Sequence, residues 1–508
     1  MKEFVQEHKS TLLLGTLILV ISYITYFHNY AYPPAFFWDE NYHVTHAQKY
    51  LNGVYHMHEH PPLGKLLIAL GEYAIRANAV NDQFISTDYA NELPEHFSFA
   101  GYRFFPALLS WLAAPVFFGV FLLITKRPLW AALLSFFYVF DNATIVHGRG
   151  AMLDGPLIFF GITTVLFFFL TLHWQDNARL RRTALAGYGA AFACALLTKY
   201  VGLIYVVLLI PLLWSLRHDR RKLLDVVIWV SIAFAVTFVT IWQIHFSLGH
   251  TVNPSLRNEG YYEASPAYRF LIETNRHTSI FAFPTAIVDS LRYPGTYDAG
   301  LPELNLCKPD ENGSPVWFWP LGARSINYRW ETDDGEHFRY WTLLVNPIVW
   351  WTALLSVILA LSLFLARVFT PLKQPIESPV LLLTFLAMYG GYMLKLSSMD
   401  RVLFLYNYFL PLHFAFIVFA LWFCGIRQII HIKLTEIMKT CTLIVLGTLI
   451  FASFLFYKPL TYGSPLTDEQ LAQRNTLKLW ELHCVHCPLE SVIATPQVCE
   501  GASAQQEP

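Results

Sequence analysis

Two adjacent carboxylates, Asp39 and Glu40, open the stretch FFWDENYHVTHAQKYLNGVYHMHEHPPLGKLL, which runs from Phe36 to Leu67 directly behind the first long apolar segment. A fixed carboxylate can accept the proton that a hydroxyl must lose as it attacks an electrophilic carbon. If the leaving group is a phosphate, it departs already anionic and needs cations rather than a general acid. The chain offers such cations: Arg103, Arg149, Lys199, Lys395 and Arg401, with Asp154 and Asp400 among them, stand at ends of apolar segments on the same side as Asp39 and Glu40. Cations converging on a carboxylate pair at a membrane boundary describe a site for a lipid-linked anion.

Each of these residues also has a structural reading. Lys and Arg near span ends snorkel to the headgroups, Arg149 and Asp154 can pair with each other, and an Asp before "EN" is a good helix N-cap. Adjacency alone does not choose between Asp39 and Glu40 as the base. His43, His46, His56, His58 and His60 show no tight ligand spacing, so they read as residues of a wet interface and no metal site is expected.

The elements that position these groups follow from composition. The 508 residues are 55% hydrophobic and 14% charged, against about 25% charge in an ordinary soluble domain, which defines an integral membrane protein. A net charge of -1 and the lack of any nucleic-acid motif argue against nucleic-acid partners. Apolar runs able to cross the bilayer number about eleven: 11–29, 103–125, 129–146, 151–172, 183–199, 201–216, 223–245, 346–366, 379–396, 403–425 and 438–456. The run near 129–172 is interrupted by DNATIVHGRG, so one span there is expected to be short or broken. The N-terminal segment has a basic head and no small-residue cleavage site, and reads as an uncleaved first span. Placing the N-terminus in the cytoplasm puts Lys126–Arg127, RLRR (179–182), RHDRRK (217–222) and the basic groups of 367–373 and 427–433 inside, as the positive-inside rule requires.

Residues 30–100, 246–345 and the tail 457–508 then lie outside, the rest of 1–456 forming the transmembrane domain. In 41–52, Val44, Ala47 and Leu51 recur at helical spacing, and PPLGKLLIALGEYAI begins with prolines suited to a first turn. Two juxtamembrane helices are predicted here. The 246–345 loop is rich in Trp, Tyr, Pro and Gly and too long for a passive connector. Cys194, Cys424 and Cys441 fall in spans as small apolar residues. Cys307, Cys484, Cys487 and Cys499 fall outside, where disulfides persist; the HCVHC of 483–487 reads as part of a disulfide rather than a metal site, with pairing open.

"WDE" at 38–40 followed by "HPPLGK" at 60–65 resembles the first external loop of the protein O-mannosyltransferases, polytopic glycosyltransferases of the GT-C type. YRFFPALL (102–109), GRGAMLDGPLIFF (148–160), TKYVGL (198–203), WPLGARSINYRW (319–330), NPIVWW (346–351) and YFLPLHFAF (408–416) continue the resemblance in order. It implies an all-α GT-C bundle that transfers a sugar, typically mannose, from a polyprenyl phosphate to Ser or Thr hydroxyls of secreted or membrane proteins, with inversion and no further cofactor. By that resemblance Asp39 is the catalytic base, Glu40 supports the acceptor or orients the base, and Arg103 matches an arginine important in the family. His60, Lys65 and the YFLP segment with Tyr408 would shape the site or hold the lipid phosphate.

Departures are visible. The large soluble insert of fungal and animal members is missing from 246–345, which implies a bacterial-type member in the inner (plasma) membrane. The paired histidines before the YLP element are Asn407 and Tyr408, and the DVHPP pattern becomes HEHPP with Glu59 at its middle position. Two other functions compete: a transferase acting on lipid A or another glycan, like the aminoarabinose transferases, and a transporter or flippase. The former usually carry Lys-Pro-Pro where this chain has His60-Pro61-Pro62, and the latter would show matching interrupted spans in two related halves.

Overall fold

The computed structural model describes residues 8–57, 59–251, 264–308, 311–369, 376–429, 432–487 and 493; His58 and Cys499 lie outside them. Eight helices among them are long and apolar enough to span a bilayer: α1 (Lys9–Phe27), α4 (Phe104–Thr125), α7 (Asp154–His173), α10 (Arg220–Leu248), α13 (Pro347–Phe369), α14 (Pro379–Ser397), α15 (Leu405–Gly425) and α16 (Glu436–Tyr462). A bent pair, α5 (Pro128–Val139) and α6 (Asn142–Gly148), makes nine if it counts as one span, with a 65° bend at the interruption read from the sequence. The other two of the eleven predicted runs are helical but fail the same test. α8 (Ala178–Thr198) carries Arg179, Arg181 and Arg182 in its first turns, and α9 (Tyr200–Leu216) is short and begins as a 3-10 helix.

Backbone packing divides the chain into two compact units. The first combines Leu19–Leu123 with His147–Gly300. Its predicted juxtamembrane helices are α2 (Glu40–Leu51) and α3 (Leu63–Ile75), which pack on each other. α3 starts behind the Pro61–Pro62 pair and stops where Arg76 turns left-handed (φ 54°). Val44, Ala47 and Tyr50 of α2 face inward with Ile68 and Ala69 of α3, and the loop residues Phe84, Phe97, Phe99 and Tyr102 close over them. Burying large apolar side chains of this kind contributes about 1.5–3 kcal/mol each and makes the loop a rigid platform. Behind it, α7, α8 and α10 stack side by side. Asn177 caps α8 and Asp219 caps α10, while Arg181 and Arg182 both reach Asp225 to tie the two helices at that end. The helices α11 (Pro266–Glu273) and α12 (Phe283–Ala299) complete this unit.

The second unit holds Met1–Ile18, Ile124–Val146 and Leu301–Pro508. Here the bend between α5 and α6 is pinned by polar side chains, because breaking the helix frees backbone groups that the membrane interior cannot satisfy. Asp141 accepts from Thr144 N and Trp350 Nε1 (3.0 and 2.9 Å), and Asn346 Nδ2 donates to Phe140 O at 2.9 Å. The helical expectation is supplemented by strands: β1 (Ile326–Thr332), β2 (Phe338–Leu343) and β5 (Pro465–Leu466) form an antiparallel sheet in the order β1-β2-β5, and β3 (Gln428–Ile429) pairs with β4 (Ile432–Lys433). The tail docks on it through Arg324–Glu481 (2.9 Å) and the buried Trp480. Cys484 bonds to Cys487, and Cys307 is also disulfide-bonded.

Candidate active site

The loop carrying the two carboxylates is held by a buried strut. Arg103 has no solvent exposure, and all five of its N–H groups donate within the protein. Nε and Nη2 grip the Glu40 carboxylate at 2.6 and 2.7 Å. The remaining donors meet Ala31 O (2.8 Å), Pro33 O (2.6 Å) and Ala35 O (2.7 Å). The guanidinium is sandwiched between the Phe37 and Phe99 rings. Glu40 also accepts from Phe37 N (3.1 Å) and Ala151 N (2.8 Å), tying the loop to the segment before α7. Gly150 permits that approach, since a Cβ there would lie 2.7 Å from the Phe37 ring and 3.3 Å from Glu40 Oε1. Arg103 and Glu40, predicted as donor-binding and catalytic groups, therefore act on each other and on the backbone.

Arg149 is likewise engaged. Its guanidinium donates to His28 O (2.9 Å) and Asn29 O (2.7 Å), just beyond the C-terminal end of α1, where orphan carbonyls and the helix dipole favour a cation. These bonds clamp the chain that leads into the 30–40 loop.

Asp39 differs from both. It occupies the N-cap position of α2, but its carboxyl makes no capping hydrogen bond, and among the described residues no side-chain hydrogen bond reaches it. The preceding Trp38 is forced to φ 53°, a region costly for a bulky residue and common beside functional groups. Asp39 keeps a partial opening to solvent. Burial pushes its carboxyl up to about 6, while Lys199 and His147 pull in the opposite direction. Glu59 and Asp154 lie close enough to act on it as well.

The surrounding charges come in two tethered pairs. Lys199 Nζ donates to both oxygens of Asp154 (2.9 and 2.8 Å), which also bonds His147 Nε2 at 2.8 Å. Lys65 Nζ donates to Glu59 Oε1 at 2.9 Å, and Lys65 is fully buried. Burial works against the Glu59 carboxylate, but Lys65 and His60 more than offset it and hold it well below the usual range. His60, between the pairs, is lowered by burial to about 4, and His43 to about 3. Both rings are neutral at pH 7, so neither adds to the pull of Lys199 and His147 on Asp39, while Lys65 acts on Glu59 and His60. Gly64 brings the pairs together by packing tightly on Leu153 and Thr198, the neighbours of Asp154 and Lys199.

The predicted residues Asp39, His60, Lys65, Asp154 and Lys199 thus share one electrostatic neighbourhood. Lys395, Arg401 and Tyr408 belong to the second unit. Lys395 is exposed at the end of α14, and Tyr408 is buried with its hydroxyl on that of Tyr389 at 3.0 Å and its ring against Trp350. Sequence reasoning missed His147, seven residues before Asp154 and across the turn after α6. It noted Glu59 only as a departure from a pattern.

A chain whose helices are long and apolar enough to span a bilayer, with a partly open carboxyl acted on by Lys199 and His147, defines a class: helical membrane proteins carrying a candidate acid–base centre. Residues 16–248 match the family model for dolichyl-phosphate-mannose-protein mannosyltransferase, and residues 300–480 match that for the C-terminal four-transmembrane region of protein-O-mannosyltransferase. The chain belongs to the protein O-mannosyltransferase family. Protein O-mannosyltransferase 1 of Drosophila pseudoobscura pseudoobscura is 27% identical over 48% of this chain and 28% of that protein. Dolichyl-phosphate-mannose–protein mannosyltransferase 4 of Schizosaccharomyces pombe is 32% identical over 37% of this chain and 24% of its own length. The matched stretch spans less than half the length of these relatives. The S. cerevisiae protein O-mannosyltransferase Pmt1-Pmt2 complex bound to the sugar donor superposes with a TM-score of 0.78 at 15% identity, covering 97% of this chain and 94% of that one, which establishes a shared fold.

Proposed function

We propose that this protein transfers a sugar, with mannose favoured, from a polyprenyl phosphate to Ser or Thr hydroxyls of secreted or membrane proteins. The reaction takes place on the external face of a bacterial plasma membrane, residues 1–456 forming the membrane-embedded transferase and 457–508 an external tail. The observation that carries the reading is the Asp39 carboxyl: among the described residues no side-chain hydrogen bond reaches it, while its neighbour Glu40 is consumed by Arg103. The acceptor hydroxyl attacks the anomeric carbon, its proton passes to Asp39, and the bond from that carbon to the phosphate oxygen breaks. A single displacement inverts the anomeric centre. Lys199, with Lys65 behind it, stabilises the charge collected by the departing phosphate. Asp154 and His147 orient Lys199, and a base whose protonation midpoint is about 6 is mostly ionised at neutral pH yet still basic enough to take the proton. The relatives' names, which specify dolichyl-phosphate mannose and protein acceptors, support this donor and acceptor.

The test is transfer of radiolabelled mannose from a synthetic polyprenyl-phosphate mannose to a Ser/Thr-rich peptide by purified protein in detergent, with Asp39→Asn in parallel. Transfer by the wild type and none by the folded variant is expected. A folded wild type that consumes donor but ignores every peptide would move the acceptor to a lipid or glycan.

A further inference from the structure

The tail beyond α16 carries a side-chain cluster that has no role in the site above. Strand β5 pairs with β2 and leads into α17 (Asp468–Ala472), whose first residue, Asp468, bonds His486 Nε2 at 2.8 Å. The His486 ring packs on Phe338 of β2 with centroids 5.3 Å apart. Cys484, buried, is joined to Cys487, which is exposed. One ligating atom each from Asp468, Cys484 and His486 lies within 4.8 Å of the other two, and the Cys487 sulfur is bonded to that of Cys484. Two sulfurs, an imidazole nitrogen and a carboxylate oxygen form the donor set and ligand count of a closed tetrahedral zinc site. From the sequence, HCVHC lacked partner ligands at the usual spacing. Folding supplies one, Asp468, from the far end of the tail.

We propose that reduction of the Cys484–Cys487 disulfide converts this cluster into a zinc site ligated by Asp468, Cys484, His486 and Cys487. The metal then ties the 484–487 turn to Asp468, just after β5, in place of the local Cys484–Cys487 link. The reductant is a dithiol. One of its thiolates attacks the exposed Cys487 sulfur, the S–S bond breaks, and Cys484 leaves as a thiolate that takes up a proton. The second thiol attacks the mixed disulfide, releasing the Cys487 thiol, and the reductant departs as its own disulfide. Zn²⁺ binding displaces the two thiol protons, because the thiolate is the ligand.

The experiment uses full-length protein in detergent carrying Cys307→Ser and Cys499→Ser, so that no other cysteine of the external segments contributes a thiol. After reduction and removal of the reductant, Co²⁺ is added as a spectroscopic probe and Zn²⁺ is titrated against a chromogenic chelator. The expected result is one cobalt ion per chain with thiolate-to-cobalt charge-transfer absorption, displaced by zinc and absent from the oxidised protein. The oxidised protein has the same sequence and serves as the folded control. His486→Ala and Asp468→Asn should each weaken zinc binding by at least the roughly tenfold that loss of even an outer-shell partner costs. Cobalt uptake by the reduced protein no greater than by a Cys484→Ser/Cys487→Ser variant, or uptake without charge transfer, overturns the proposal.

Discussion

Replacing Arg103 by alanine removes five N–H donors from a position closed to solvent. Glu40 keeps only its two backbone donors, Phe37 N and Ala151 N, and the carbonyls of Ala31, Pro33 and Ala35 lose their partner. Breaking a buried pair from one side costs about 3–5 kcal/mol, since the surviving charge stays in low dielectric. Each orphaned carbonyl adds about 1–3 kcal/mol unless the loop relaxes. The loop therefore reorganises, and Asp39, adjacent to Glu40, moves with it. The expected outcome is a large drop in the thermal unfolding midpoint in detergent and a fall in kcat, with the KM for the lipid donor little changed. Arg103→Lys keeps the charge but loses the planar fork, and should recover only part of the stability. Glu40→Gln combined with Arg103→Ala should cost less than the sum of the single changes by about 1–3 kcal/mol, because the double variant leaves no unpaired charge. A stable Arg103→Ala enzyme with unchanged kcat and a raised donor KM would refute the strut and return Arg103 to the phosphate.

Asp39→Asn should lower transfer by about two to four orders of magnitude, the usual weight of a general base. It should also raise thermal stability at pH 7, because the net rise from 3.8 to about 6, with burial the largest cause, disfavours the charged carboxyl in the fold by ~3 kcal/mol. In the wild type the same raised value means that kcat/KM follows the ionised form and falls as pH drops through about 6, reaching about a tenth of its plateau one pH unit lower. Lys199→Met removes a cation that holds Asp39 down, so the acidic limb of the pH profile should move upward while donor use weakens; a limb that stays put would separate Lys199 from the base. Arg149→Ala should cost up to about 2 kcal/mol of stability through the lost helix-end cation, with donor KM unaffected. A donor KM that rises in that variant would restore its phosphate role.

Much of the helical layout was legible because apolar length is a one-dimensional signal. The ends of α4, α10 and α14 fall within a few residues of the predicted runs, and the two loop helices start where the prolines and the acidic pair indicate. The failures share a different cause. α8 reads as a span from its second half, but the arginines at its start bond to Asp225 of α10 and to Gln175 O, a pairing that no local pattern encodes. The same holds for the cations. Arg103, Arg149 and Lys199 are equivalent letters at equivalent positions in the sequence, and only the folded chain shows that Arg103 and Arg149 hold backbone carbonyls while Lys199 pairs with Asp154.

On the proposed reaction, with Asp39 as the base, the same contacts account for a pair of carboxylates. A base must be held still, yet the groups that would hold its own carboxyl would also neutralise it or lower its affinity for a proton. Here the restraint is applied one residue away: Glu40 takes the bidentate arginine, and the backbone strain at Trp38 aims Asp39 without touching its oxygens. The lysines near Asp39 follow the same division, since Lys65 and Lys199 each carry a partner of their own, Glu59 and Asp154. The net field at Asp39 is therefore mixed rather than strongly positive, and burial remains the larger influence that keeps the carboxyl basic. A site with the same cations but without Glu59 and Asp154 would hold Asp39 ionised and weaken it as a proton acceptor. Glu59→Gln should accordingly lower the acidic limb of the pH profile, opposite in sign to Lys199→Met and smaller, and a limb that moves the same way in both variants would refute this account of the field at Asp39.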